Sequence, residues 1–80
     1  MDYYIGGIVL FPYGFAPCGW MACEGQILNI NENQALFALI GLKFGGNGRT
    51  TFALPNLRGA EPIPGMNYYI ATQGIFPSRY

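Results

Sequence analysis

A small β-rich α+β fold, with one short helix and irregular Gly/Pro-rich loops, is what this chain predicts, and three observations predict it. Short apolar and aromatic runs cut by Gly and Pro stand at Ile8–Phe11, Trp20–Cys23 and Met66–Gly74, the pattern of strands bounded by turns. Only Glu32–Ile40 carries apolar residues at helical spacing. The stretch Gly45–Gly59, GGNGRTTFALPNLRG, has a composition suited to a tightly folded irregular loop and not to a helix or a long strand.

In chain order, Ile8, Val9, Leu10 and Phe11 form an apolar run ended by Pro12, which predicts a largely buried strand. Tyr13–Pro17 reads as a loop with aromatic anchors. Trp20–Cys23 predicts a second strand, with Trp20 as a buried structural anchor. Glu24-Gly25 predicts a hairpin turn in which Gly25 supplies positive φ, returning into a third strand over Gln26–Ile30. Asn31 as cap, with Gln34 three residues on, resembles a capping box. Ala35, Leu36, Leu39 and Ile40 then give one apolar helical face, and Gly41 is a natural stop. Gly45, Gly46, Asn47 and Gly48 predict a turn, and Phe52, Leu54 and Leu57 anchor the chain around the structural Pro55. The run AEPIPG, Ala60–Gly65, has two prolines too close together for regular structure. Met66–Gly74 predicts a last strand with Tyr68, Ile70 and Thr72 on one side and Tyr69, Ala71 and Gln73 on the other. Neither of these faces is plainly a solvent face. Ile75–Tyr80 is apolar and is expected to be tied down.

Eighty residues predict a single domain over 1–80, too small to bury more than roughly 60–65% of its unfolded surface. Yet 51% of the residues are hydrophobic and only 10% charged, against a usual charged share of ~25%. With a net charge of zero, little self-repulsion keeps copies apart. These figures favour a homo-oligomer. Lys43, Arg49, Arg58 and Arg79 are scattered and form no stripe, which argues against a nucleic-acid partner. Tyr3–Cys23 carries no charge, but Gly6, Gly7, Pro12, Gly14, Pro17 and Gly19 would break a spanning helix, so no membrane insertion is expected. Asp2 stands where a secretory signal would be basic, so synthesis in the cytoplasm without a signal peptide is expected.

The residues that carry chemistry point away from catalysis. Gly45, Gly46 and Gly48 lack the Gly-Lys-Ser/Thr ending of a phosphate loop, and Arg49-Thr50-Thr51 leads to Pro55. Cys18 and Cys23 have no histidine partner anywhere in the chain, so neither a cysteine nucleophile nor a zinc site is expected. Both thiols are expected free and buried. Glu24 and Glu61 are the only carboxylate pair worth considering for acid/base work. The chain is therefore expected to be no enzyme and to use no cofactor and no metal. Tyr3, Tyr4, Tyr13, Tyr68, Tyr69 and Tyr80 are more than so small a core can hide and are candidates for subunit or ligand contacts.

Three motifs in order carry a resemblance. GGNGRTTFALPNLRG, FAPCGWMACEGQ over Phe15–Gln26, and NYYIATQGIFPS over Asn67–Ser78 resemble the signature segments of the phage tail collar domain family, including its microcystin-dependent-protein-like group. The resemblance implies a collar-like fold, threefold assembly, other tail proteins as partners, and a place in a virion or phage-like particle. Longer members carry a large region between the LRG motif and the closing strand; here only Ala60–Met66 joins them. Positions that are acidic in the family pattern are Glu24 and Asn56 in this chain, and Asn56 has lost the charge that could face Arg58. The function expected is a structural and assembly module of a phage tail or tail-like particle, a homotrimeric fibre or tip component. The alternative is a small oligomeric protein binding a small molecule or glycan through Asn47, Arg49, Thr50, Asn56 and Arg58 near a subunit seam.

Overall fold

The computed structural model describes residues 3–77. Strands β1 (Ile8–Phe11), β2 (Trp20–Ala22) and β3 (Ile27–Asn29) precede helix α1 (Gln34–Ile40), which is followed by β4 (Thr51–Ala53) and β5 (Asn67–Ala71). This is a β-rich α+β domain with one short helix, as the sequence predicts. The strands make two antiparallel sheets, one of order β1-β5-β2 and one pairing β3 with β4.

β5 is the middle strand of the larger sheet, which explains its two apolar faces. Ile8 pairs with Ile70 and Val9 with Tyr69 on one edge, while Trp20 pairs with Ala71 and Met21 with Ile70 on the other. Side chains alternate across a strand, so the sheet separates two clusters. Ile70 joins Cys23, Leu36, Phe52 and Leu54 on one face, with Met21 and Tyr68 packed against them. Tyr69 and Ala71 join Trp20 on the other, with Val9, Phe11 and Ala22.

The pairing of β3 differs from expectation. Glu24-Gly25 does not close a hairpin between β2 and β3. Gly25 has φ 78° as foreseen, but β3 runs to β4, with Ile27 opposite Ala53 and Asn29 opposite Thr51. The ladder extends past the strands: Ile30 N–H donates to Thr50 O, Leu54 N–H to Gln26 O and Gly25 N–H to Pro55 O, and Glu24 bridges Asn56. The result is a seven-residue ribbon, Glu24–Ile30 against Thr50–Asn56. Its apolar side chains Leu28, Phe52 and Leu54 reach the first cluster, and that long-range burial outweighs a local turn signal. For the same reason Thr51–Ala53 is a strand inside a stretch read as irregular.

The helix starts two residues later than expected. Asn33, not Asn31, is the cap residue, and it makes no side-chain cap bond; its amide instead donates to Asn29 O at 3.0 Å. Asn31 N–H is held by Asn29 Oδ1 at 2.8 Å, which turns the chain before α1 can begin. At the other end Gly41, φ 55°, donates its N–H to Phe37 O as the helix stops. Leu36 is buried, and Leu36 and Leu39 lie against Gly6, so α1 packs on the chain that enters β1.

Two other expectations are corrected. β1 is less buried than its apolar run suggests: it is an edge strand, and Ile8 is exposed. Cys18 is exposed and only Cys23 is buried, both as free thiols. Ile75 is tied by a parallel bridge to Tyr4, with Ile5 N–H donating to its carbonyl and its own N–H to Tyr3 O. The side chains of Ile75 and Phe76 are nonetheless exposed, and the rest of the expected anchoring, at 78–80, lies outside the described residues.

Candidate functional site

The loop that enters β4 is a hairpin with Arg49 at its tip. Gly45 O accepts Ala53 N–H and Thr51 O accepts Gly48 N–H. Gly46 and Gly48 have φ 102° and 78°. A Cβ on Gly46 would overlap the Thr51 carbonyl and the Phe52 backbone, so only glycine lets the returning chain lie this close to β4. Asn47 locks the tip: its Oδ1 accepts N–H bonds from Arg49, Thr50 and Thr51 at 2.8, 2.9 and 3.1 Å. Its amide donates to Thr50 Oγ1, and its own N–H donates to Thr51 Oγ1. The polar groups of Asn47 and Thr50 are thus turned inward on the loop, while Arg49, among the described residues, joins this network through its backbone N–H.

At the opposite end of the ribbon lies a cavity of about 230 Å³. Phe15 forms one wall, 69% exposed. Glu24, Arg58 and Glu61 place three charged groups around it, and Asn67 and Tyr68 also line it. Asn67 is oriented by its amide, which donates to Tyr13 O at 2.9 Å; Tyr69, also in the lining, donates its hydroxyl to the same carbonyl at 2.6 Å. Asn56 Oδ1 accepts Arg58 N–H, and Glu61 Oε1 accepts Gly59 N–H, so side chains of the site shape the bend that presents it. Cys23 forms part of the lining, and burial pushes its thiol from 9.0 up to about 11. That keeps it a neutral thiol at ordinary pH and a poor nucleophile.

The five residues picked as ligand donors fall at two places. Asn47, Arg49 and Thr50 sit at the hairpin tip; Asn56 and Arg58 sit at the far end of the ribbon, on the order of 20 Å away at ~3.3 Å per residue. Of the five, Arg58 alone lines the cavity. Glu24 and Glu61 line it together. Phe15 and Asn67 are site residues that the sequence did not single out in this role; the exposed aromatic of the Tyr13–Pro17 loop was the available signal. Of the candidate contact tyrosines, Tyr68 and Tyr69 line the cavity, Tyr69 as a buried residue of the sheet. Of the residues read as structural, Trp20 is 8% exposed and Phe52 fully buried, Pro55 is buried, and Gly25 packs on Asn56. Among the described residues no group of three or more His, Cys, Asp or Glu is placed to hold a metal, and no helix is long and apolar enough to cross a membrane.

Fold and site together define a small β-rich domain whose glycine- and proline-rich loops, more than its short strands, build the candidate site. The family model of the Phage Tail Collar Domain matches residues 6–62. The chain belongs to the phage tail collar domain family, a family of structural domains of phage tails. No curated protein and no solved structure matches the chain. The matched segment spans β1 to β4 and the cavity residues Glu24, Arg58 and Glu61, and it ends before β5.

Proposed function

We propose that this protein is a structural module of a phage tail or tail-like particle, a homo-oligomeric fibre or tip component, with three copies as the expected assembly and other tail proteins as neighbours. Membership of the collar family is the observation that carries the reading. The surface supports self-association: Tyr4, Phe15, Ile27, Ile63 and Phe76 are each more than half exposed, and large exposed apolar area on a soluble protein marks interaction sites. The whole of 1–80 acts in this reading as one collar-like unit, joined to β5 without the long insert, located in the particle and without catalytic activity of its own. A second reading, a small-molecule or glycan-binding protein, has the Phe15–Arg58 cavity in its favour.

Native mass spectrometry of the purified protein tests both readings. A trimer without retained ligand is the expected spectrum. A monomer at micromolar concentration would defeat the assembly reading, and a small molecule of constant mass carried by every assembly would move the function to ligand binding.

A further inference from the structure

Arg49 and the charged cavity occupy opposite ends of one ribbon, and their chemistries are complementary. The cavity is lined by two carboxylates, Glu24 and Glu61, and one guanidinium, Arg58, so it carries one net negative charge. The tip carries Arg49, exposed on a hairpin already fixed by the three bonds to Asn47 Oδ1. A preformed loop loses little conformational freedom on docking. The ribbon, on the order of 20 Å long, keeps Arg49 away from Glu24 and Glu61 of its own chain, so they can meet only between copies.

The surroundings match as well as the charges. Leu42 and Phe44, 48% and 44% exposed, precede the tip, and Leu42 lies against Gly48. Phe15 and Ile63, 69% and 55% exposed, belong to the loops around the cavity. An arginine within an aromatic and aliphatic collar is the usual make-up of an interface centre.

We infer that the Arg49 hairpin tip of one copy docks in the Glu24–Arg58–Glu61 cavity of the next. Arg49 then lies between the two carboxylates beside Arg58, and Phe15 packs on the incoming tip. The contact joins two different surfaces, so it is head-to-tail, and a ring closes it when the rotation per step divides a full turn. A closed ring of three leaves no tip and no cavity unused. This contact rests on the self-assembly reading and gives it its interface.

The test compares the intact protein with Arg49→Glu, with Glu24→Lys/Glu61→Lys, and with all three substitutions in one chain, by sedimentation velocity over a concentration series. Each charge reversal alone should weaken self-association by roughly thirty-fold or more, as disrupted charge pairs at interfaces do. The triple variant should recover association to within roughly tenfold of the intact protein, because each reversed tip meets a reversed cavity. Recovery within a single chain, whose own tip and cavity are too far apart to pair, reports a contact between copies. Unchanged association in both reversals, or a triple variant no better than either, overturns the contact while leaving an assembled protein in place. An intact protein that is itself monomeric fails the assembly reading first. Any variant without a cooperative melt is replaced by Arg49→Ala or Glu24→Gln/Glu61→Gln, where weaker association supports the contact and unchanged association overturns it.

Discussion

The two faces of the three-stranded sheet are closed by different means. On one, the ribbon and α1 cover the sheet, and Leu36, Phe52, Leu54 and Ile70 are each no more than 1% exposed. On the other, no regular element among the described residues covers the sheet, and aromatic rings close over one another. Trp20 stands edge-on to Tyr3 and to Phe11, with ring centres 5.0 and 5.2 Å apart. Phe11 stacks on Tyr13 at 5.3 Å, and Tyr13 on Phe15 at 5.6 Å. This aromatic row ends in exposed rings, Tyr3 at one end and Phe15 at the other. The first face is a finished core; the second turns a core into a surface. Stability should therefore concentrate on the first face and surface geometry on the second.

The sharpest way to break this contrast is at Phe52. Phe52→Ala should cost roughly 3–5 kcal/mol, the range for a buried aromatic truncated without collapse of the site, read from urea unfolding. Trp20→Ala should fall at the lower end, about 3 kcal/mol, because the rings beside it already meet solvent and can close over the gap; a loss equal to that of Phe52→Ala would erase the distinction between the faces. Tyr69→Phe removes the hydroxyl bond to Tyr13 O and keeps the ring. It should cost about 1 kcal/mol and also loosen the Tyr13–Phe15 loop, seen as faster amide exchange confined to that loop.

The closed face also carries a pH dependence. The unfolded Cys23 thiol ionises near its ordinary 9.0, whereas the folded one keeps its proton to about 11. Between those values the unfolded state binds fewer protons, so stability falls as pH rises. The contribution is complete below 9.0 and gone above about 11. Melting temperatures of the intact protein and of Cys23→Ala, compared across this window, should converge as pH rises. At pH 8 a maleimide should label Cys18 at once and Cys23 only on unfolding.

What could be read from the sequence was what neighbours in the chain decide. Pro12 ends β1, Gly41 ends α1, and the double apolar face of Met66–Gly74 marks a strand covered on both sides. What could not be read was set by distant partners. The Glu24-Gly25 signal is local, but the strand after it finds Thr51–Ala53, because Leu28 and Phe52 are buried together there. The cap moved from Asn31 to Asn33 because Asn29, a strand residue, captured both asparagines first. The candidate site was half legible for the same reason. Arg49 and Arg58 stand out in a chain poor in charge, but only the ribbon's register places them at opposite ends, and only β5 brings Asn67 and Tyr68 beside Glu24.

The central position of β5 has a consequence for how the chain reaches its fold. Among the described residues it is the last of six elements in chain order and the only partner that β1 and β2 have in their sheet. Ile8 must wait for Ile70, and Trp20 for Ala71, so closing the ladder ties loops of roughly 60 and 50 residues before any sheet hydrogen bond rewards it. On the ribosome, the apolar run of β1 stays without its sheet partner until β5 emerges. Such non-local pairing folds slowly and leaves strand edges open to other chains in the meantime. For the assembly proposed above, the interval before β5 emerges is when neighbouring nascent chains are most able to pair wrongly.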